Sequence, residues 1–223
     1  MTIIKKIMND LKAVIAVYDN FTLYHTYKNQ KLGPGKNITI KNIKSIFKLS
    51  LYDNMESLMS FNKFIPENVL NFDPVEGSVI FYTKPEMRNL IFSKDLNFNV
   101  KLEDQYKMPF LLWVYKNNIL SVFALKRKPT KLTDKLYNAP FLNVSNRGDV
   151  CMGNVKYGDE TKHFDVLIKD IVYKFYNSVF THTNNDNLLK MNYVKFLELH
   201  KNDKNLSYSK LLIENGLTLN DVL

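Results

Sequence analysis

Cysteine is almost absent from this chain, because Cys151 is the only one among 223 residues. A single thiol cannot close an internal disulfide, and no second cysteine exists to build a cysteine zinc site. We therefore expect a reducing compartment. The lone thiol is left available for chemistry.

Long apolar runs are also missing. The longest run near the N-terminus, residues 13–18, is far shorter than the ~20 residues that span a bilayer. The sequence has no Gly-x-x-x-x-Gly-Lys loop for phosphate and no His-Glu-x-x-His pattern for zinc. We expect a soluble, cytoplasmic protein without a metal, ATP or organic cofactor of its own.

Arginine is scarce as well, at three of the 31 basic residues, although the net charge is +9. Planar guanidinium groups favour phosphate and guanine recognition, so their scarcity argues against a dedicated nucleic-acid site. The densest basic run, residues 126–128 followed by Lys131 and Lys135, is interrupted by Pro129. A solvated lysine-rich surface is the favoured interpretation, and a DNA-associated role is the alternative.

The N-terminal part predicts an extension to the main fold. Residues 13–18 and 21–27 are rich in β-branched and aromatic side chains and flank an Asp-Asn pair, which predicts a hairpin. Thr39 can cap a helix whose apolar side chains share one face. Residues 64–70 have the composition of an irregular link.

Four apolar or alternating runs follow, and they predict an antiparallel meander. Asn117-Asn118 can adopt the positive φ angles of a tight turn between the last two runs. The runs are residues 78–82, 89–93, 110–115 and 119–125.

The pattern becomes helical after the cysteine. Thr161 or Asp159 can cap a helix with an apolar stripe along residues 164–179. Residues 192–200 and 208–215 predict two further short helices.

Gly216 stands where a C-terminal cap glycine belongs. No repeat or linker interrupts the chain, so we predict a single α+β domain over residues 1–223. Its predicted parts are an extension (1–75), a core (76–180) and a C-terminal loop with helices (181–223).

The loop that ends at Cys151 has the pattern of a chain that doubles back. A Ser-Asn-Arg-Gly turn separates the cysteine from Asn143, and Gly148 and Gly153 bracket the thiol. A lone cysteine is most often a small buried apolar residue. The neighbouring glycines and Asn143 favour a nucleophilic cysteine instead. The turn can fold the Asn143 side chain back beside the thiol, where its amide would be a neutral donor to an oxyanion.

The run from Asn143 through Gly148 to Cys151 resembles the active-site loop of ubiquitin-conjugating enzymes. There, a His-Pro-Asn motif precedes the catalytic cysteine by this spacing, directly after a four-stranded meander. Further matches resemble the prokaryotic ubiquitin-conjugating-like family D and, within it, the protein B family of PRTRC systems. They are Pro129-Thr130 and residues 136–141, 143–144, 148–154 and 180–182.

The resemblance implies a fold, an activity and partners. The fold is a four-stranded antiparallel meander packed on helices. Cys151 would receive the C-terminal carboxyl of a ubiquitin-like protein as a thioester from an ATP-using ThiF-type activating enzyme, and pass it to an amine. Asn143 would donate to the oxyanion of the tetrahedral intermediate. The setting is bacterial and associated with a mobile element, and a JAB-type peptidase encoded nearby is a further implied partner.

The sequence departs from the typical motif, because Phe141 and Leu142 stand where the His and Pro would be. The family that it resembles shares this loss and carries a histidine after the cysteine, which corresponds to His182. We expect His182 to lower the pKa of the thiol, or to orient the incoming amine and take its proton. The other three histidines are expected to be surface or capping residues.

Two other functions remain open at this point. The fold could serve as a non-catalytic scaffold that binds a ubiquitin-like protein or the activating enzyme, with Cys151 packed inertly. The basic charge could instead mark a DNA-associated protein of a mobile element. A Cys-His hydrolase of the papain type has weaker support, because no order of motifs favours it.

Overall fold

The computed structural model describes residues 13–17, 22–28, 31–37, 59–61, 64–151, 153, 155–157, 163–181 and 188–223. The chain divides into two units, residues 1–57 and 58–223. Each unit is described by itself.

The first unit contains a small antiparallel sheet. Strands β1 (Ala13–Val17) and β2 (Thr22–Lys28) pair at the place where the sequence predicts a hairpin. Two short strands, β3 (Lys31–Leu32) and β4 (Lys36–Asn37), also pair with β2. The predicted helix after Thr39 lies outside the described residues.

The second unit is mostly sheet with two helices, an α+β arrangement. Its helices are α1 (Phe164–Tyr176) and α2 (Tyr193–His200). Two 3₁₀ turns cover Lys94–Leu96 and Leu219–Asp221. Its strands are β5 (Val69–Asp73), β6 (Ser78–Thr83), β7 (Met87–Asn89), β8 (Ile91–Phe92), β9 (Gln105–Lys107), β10 (Phe110–Lys116), β11 (Ile119–Leu125), β12 (Lys135–Asn138), β13 (Val179–Phe180) and β14 (Glu214–Thr218).

Six of these strands form one antiparallel sheet in the order β14-β12-β11-β10-β6-β5. Its centre is the β10–β11 hairpin, in which Lys116 lies opposite Ile119. Asn117 and Asn118 have φ angles of 52° and 61°, so the predicted asparagine turn is observed. Both strands are buried along most of their length, which suits their central position.

The sheet is covered on both faces. On one face, Trp113 packs against Phe81 and against Phe175 of α1, with its ring centroid 5.1 Å from that of Phe175. The buried indole N–H donates to Thr83 Oγ1 at 3.1 Å, so this polar group is not left unsatisfied. On the other face, a second apolar cluster joins Leu219 to side chains of the sheet such as Ile80 and Leu112.

The predicted run 89–93 is not a strand of this sheet, which corrects the predicted meander. β7 pairs with β9, and β8 pairs in parallel with β13. Pro85 precedes β7, and these strands are only two or three residues long and half-buried, whereas the central strands are longer and more deeply buried. The places next to β6 and β11 are taken by β5 and β12.

Two local predictions near the ends of the unit are wrong. The predicted link 64–70 ends at residue 68, because β5 begins at Val69. The predicted helix 208–215 is a turn that leads into β14, and Gly216 is a strand residue with φ of 91° rather than a helix cap. Pairing with β12 overrides the local helical pattern, and Gly216 lies where the register shifts between Lys135 and Tyr137.

The two observed helices lie within predicted segments. α2 forms within the predicted segment 192–200, and Asn192 caps it by accepting a hydrogen bond from the Lys195 N–H. α1 is shorter than its predicted stripe and ends at Tyr176. Its N-cap position is held by His163, and the predicted cap residues Thr161 and Asp159 lie outside the described residues.

The single-domain organisation stays a prediction. The division of the chain falls after Ser57, well before the expected end of the extension at residue 75. β5 also precedes residue 75 and belongs to the six-stranded sheet.

Asp134 stabilises the conformation of the loop between β11 and β12. Its carboxylate accepts hydrogen bonds from the N–H groups of Thr130 and Lys131, at 2.7 and 3.0 Å, and from the Arg127 guanidinium at 3.0 Å. The two backbone donors and Arg127 lower the pKa of Asp134 to about 2.

We expect Asp134→Asn to lower the free energy of unfolding at pH 7 by roughly 1–2 kcal/mol, because the Thr130, Lys131 and Arg127 donors lose their charged acceptor. The folded-state pKa is depressed, so this stabilisation is present above the ordinary pKa of 3.8 and is lost as the pH falls toward 2. Urea unfolding at pH 7 and at low pH measures the effect. The free energies of unfolding of the wild type and Asp134→Asn should converge at low pH. Glu103→Gln, which removes an exposed carboxylate, should change in stability between the two pH values as the wild type does.

Candidate active site

The cysteine loop begins as a buried segment. All residues from Leu136 to Val144 are buried, so the chain reaches the loop through the interior of the unit. Phe141 packs edge-on against Phe175 at 4.8 Å and is stacked on Phe180 at 5.9 Å, measured between ring centroids. Phe141, which stands where the typical motif has histidine, is therefore an apolar anchor for the loop.

The loop itself is a narrow hairpin that brings Asn143 and Cys151 together. The Cys151 N–H donates to the Asn143 carbonyl at 2.8 Å, and the Ser145 N–H donates to the Asp149 carbonyl at 2.9 Å. Val144 and Val150 pair between these bonds, and both are buried. In a regular antiparallel ladder the next pair, Asn143 and Cys151, faces the opposite side from the two valines.

The two paired residues differ in exposure. Cys151 is exposed, whereas the Asn143 side chain is only 5% exposed. An exposed thiol is not the buried apolar residue that an inert cysteine would be. The structure therefore presents the sulfur to solvent at the end of a hairpin whose other arm is buried.

Strand β11 fixes the second arm of this hairpin. The Val122 N–H donates to the Gly148 carbonyl at 2.8 Å, and the Val150 N–H donates to the Leu120 carbonyl at 2.9 Å. The Ser121 hydroxyl adds a hydrogen bond to the Asp149 carboxylate at 2.9 Å. The backbone next to Cys151 is thus an extension of the central sheet.

Gly148 is the point of closest approach between the loop and the sheet. Its φ is 85°, a left-handed conformation that side chains disfavour. A Cβ atom at this position would lie less than 3.0 Å from two ring carbons of Phe123 on β11. Only glycine fits this contact without displacing the ring.

Two tyrosine hydroxyls, from the partly buried Tyr193 and the buried Tyr115, bind the chain on either side of the hairpin. The Tyr193 hydroxyl donates to the Pro140 carbonyl at 3.0 Å, and the Tyr115 hydroxyl donates to the Tyr157 carbonyl at 3.2 Å. Burial raises the pKa of Tyr193 far above its ordinary value, and it raises the pKa of Tyr157 to about 12. Tyr193 therefore keeps the proton that it donates throughout the physiological pH range.

Asn215 on β14 also holds the cysteine loop, a role that the sequence did not indicate. Its amide donates to Asn138 Oδ1 at 2.9 Å and to the Asn146 carbonyl at 2.6 Å. One side chain therefore joins the strand before the loop to the turn at its tip. No local pattern reveals this contact, because Asn215 lies 69 positions from Asn146.

His182 lies outside the described residues, so its predicted role stays a prediction. The other three histidines make structural contacts, and one of these contacts is long-range, from His163 Nδ1 to Ser60 Oγ at 3.3 Å. His25 Nδ1 is 2.9 Å from the Gly33 carbonyl oxygen. His163 is the N-cap of α1, and His200 Nδ1 is 3.4 Å from the Asp203 carboxylate.

The described residues hold neither a cluster of metal ligands nor a membrane-spanning helix. They contain no group of three or more His, Cys, Asp or Glu side chains that could hold a metal ion. In this part of the chain, no helix is long and apolar enough to cross a membrane. The candidate reactive group is the exposed thiol of Cys151 on its rigid backbone.

The family model of Prokaryotic E2 family D matches residues 44–211. The chain belongs to this family. The match includes the cysteine hairpin, β11 and both helices, whereas β14 lies beyond it. No curated protein and no solved structure matched the chain significantly.

Membership of Prokaryotic E2 family D makes this a prokaryotic E2-like protein, and it indicates a role in a ubiquitin-like protein system. The family assignment agrees with the resemblance found in the loop sequence. It assigns no role to individual residues, so the catalytic roles of Cys151, Asn143 and His182 stay predictions.

We expect Gly148→Ala to lower the free energy of unfolding by roughly 2–5 kcal/mol, from the strain of a positive φ and from overlap with the Phe123 ring. Gly216→Ala is the matched control, because Gly216 has φ of 91° and no atom within 4 Å of the added Cβ. It should lose only about 1–2 kcal/mol from φ strain. Urea unfolding measures both variants, and the rate of Cys151 modification by a disulfide reagent should rise only in Gly148→Ala.

Equal losses of stability in the two variants would show that the Phe123 contact contributes nothing. An unchanged modification rate in Gly148→Ala would show that the glycine does not control the cysteine hairpin.

Proposed function

We propose that this protein carries a ubiquitin-like protein as a thioester on Cys151 and transfers it to an amine. The observation that carries the proposal is the hydrogen bond of 2.8 Å from the Cys151 N–H to the Asn143 carbonyl, which holds an exposed thiol beside Asn143. Membership of Prokaryotic E2 family D supports the same chemistry.

The proposed reaction has two acyl transfers. In the first, the Cys151 thiolate attacks the thioester carbonyl of a ubiquitin-like protein on its activating enzyme, and the thiolate of that enzyme leaves. In the second, an amine attacks the new thioester, loses a proton and expels the Cys151 thiolate. An amide bond to the target results, and the cysteine is regenerated.

Two residues are assigned supporting roles in these steps. Asn143 donates its side-chain N–H to the oxyanion that forms in each tetrahedral intermediate. His182 orients the incoming amine and takes its proton, or lowers the pKa of the thiol. The proposal for Asn143 is supported by its position opposite Cys151, whereas that for His182 rests on the sequence resemblance alone.

The proposed partners follow from the same resemblance. A ThiF-type enzyme activates the ubiquitin-like protein with ATP, and a JAB-type peptidase encoded nearby removes it. The system is of the PRTRC type and bacterial. The chain itself needs no cofactor for the two acyl transfers.

Incubation with ATP and with the ThiF-type enzyme and ubiquitin-like protein of the same gene neighbourhood tests this function. We expect an adduct of the two proteins that survives denaturing electrophoresis and disappears with excess thiol. Cys151→Ala should form no adduct, because no nucleophile remains. Cys151→Ser should form an oxyester that resists thiol.

The activating enzyme must first be shown to form its own thioester under the same conditions. If it does so and the wild-type chain still takes up no ubiquitin-like protein, the thioester proposal is wrong, and the scaffold alternative is favoured.

The role of Asn143 has its own test in the discharge of the loaded thioester by a free amine. We expect Asn143→Ala to slow this step about 100–1000-fold, because loss of one oxyanion donor raises the barrier by about 2.7–4 kcal/mol. The control is Asn146→Ala at the exposed tip of the same loop, which should discharge at the wild-type rate. Thermal unfolding separates an effect on the reaction from an effect on the fold.

An unchanged discharge rate in a folded Asn143→Ala variant would remove the oxyanion role. A slower discharge that appears only together with a large loss of stability would make Asn143 a structural residue.

A further inference from the structure

A basic cleft lies at the end of β11 away from the cysteine hairpin. It has a volume of about 490 Å³ and is formed by the ends of β11 and β12 with the loop between them. Four of its lining side chains are positive and one is negative, a formal charge of +3. The charged lining residues are Lys126, Arg127, Lys131, Asp134 and Lys135.

The wall of this cleft is a rigid frame. The Asp134 carboxylate accepts hydrogen bonds from the Thr130 and Lys131 N–H groups, which closes the turn at residues 130–134. The Leu219 N–H donates to the Asp134 carbonyl, and the Asn220 N–H donates to the Leu132 carbonyl, both at 2.9 Å. Because the loop is held at several points, its backbone needs little further ordering when a ligand binds.

The positively charged side chains of the cleft differ in the groups that they contact. The Arg127 guanidinium donates to Asp134 at 3.0 Å, and Lys135 pairs with Glu214 at 2.9 Å. Lys126 lies over the Tyr137 ring, with its ammonium nitrogen 4.6 Å from the centroid. An ammonium group over an aromatic ring can still attract an anion, because the ring carries no net charge that would neutralise it.

The cleft is close to the cysteine hairpin but separate from it. Leu125 in the cleft lies three residues along β11 from Val122, which binds the hairpin. At about 3.3 Å per residue, this separation is about 10 Å. The residues that line the cleft include none of the cysteine hairpin.

We propose that this cleft binds a short acidic segment of a partner protein. Carboxylates two residues apart on an extended chain are about 6–7 Å apart, a spacing that suits separate lysine ammonium groups in a cleft of this size. The cleft suits nucleic acid less well. A duplex carries a phosphate charge about every 1.7 Å and needs a longer basic track, and the one guanidinium here is already engaged by Asp134.

Fluorescence anisotropy with the whole chain tests this proposal. The probes are a labelled peptide of alternating glutamate and serine, the same peptide with glutamine for glutamate, and a single-stranded oligonucleotide of equal formal charge. We expect the glutamate peptide to bind more tightly than the other two. Its affinity should fall as the salt rises from about 50 mM to about 300 mM.

A pair of double variants locates the site. Lys126→Glu with Lys131→Glu should weaken binding of the glutamate peptide roughly tenfold or more. Lys169→Glu with Lys195→Glu makes the same charge change at exposed positions on α1 and α2, and should change the affinity less than about twofold. Thermal unfolding checks that both variants are folded.

Three results would overturn the proposal. Equal weakening by both double variants would show diffuse attraction to the net charge, and tighter binding of the oligonucleotide would make the cleft a nucleic-acid site. No binding of the glutamate peptide at low salt would leave the cleft without this ligand. The measurement does not use Cys151, so its outcome is independent of the thioester proposal.

Discussion

The candidate site depends on two backbone hydrogen bonds between β11 and the cysteine hairpin, from Val122 to Gly148 and from Val150 to Leu120. β11 is a central strand and is buried at most positions, so it is among the least mobile parts of the second unit. The hairpin takes its rigidity from this strand. An exposed cysteine is thereby held on a frame that belongs to the core, rather than on a free surface loop.

Apolar packing at Phe141 complements this backbone pairing. The typical motif of ubiquitin-conjugating enzymes has histidine and proline before the asparagine, whereas this chain has two buried apolar residues there. Phe141 is stacked on Phe180 and packs against Phe175 of α1. The interlocked rings restrain the chain before Asn143 without any polar group, because aromatic pairs prefer defined geometries. The loop is therefore held in place although it lacks the His and Pro of the typical motif.

Local sequence signals predicted the parts of the fold that form from neighbouring residues. The asparagine turn between β10 and β11 and the bodies of α1 and α2 are of this kind, and so is the turn that brings Asn143 to Cys151. Pairings between distant segments were missed, such as that of Tyr137 with Glu214. Short strands carry too little periodicity to indicate their partners, and tertiary pairing then overrides local preference. For the same reason the sequence revealed neither the Phe123 ring beneath Gly148 nor the amide of Asn215.

The sheet topology also concentrates part of the excess positive charge in one cleft. In the sequence, the densest basic run has the pattern of a solvated surface interrupted by a proline. The antiparallel pairing of β11 and β12 brings the two ends of this run around one cleft. The same two strands carry the cysteine hairpin at their opposite ends, since one hairpin arm follows β12 and the other binds β11. This pair of strands therefore keeps a charged surface and an exposed thiol apart, so the proposed binding of a partner and the proposed acyl transfers would use opposite ends of the same strands.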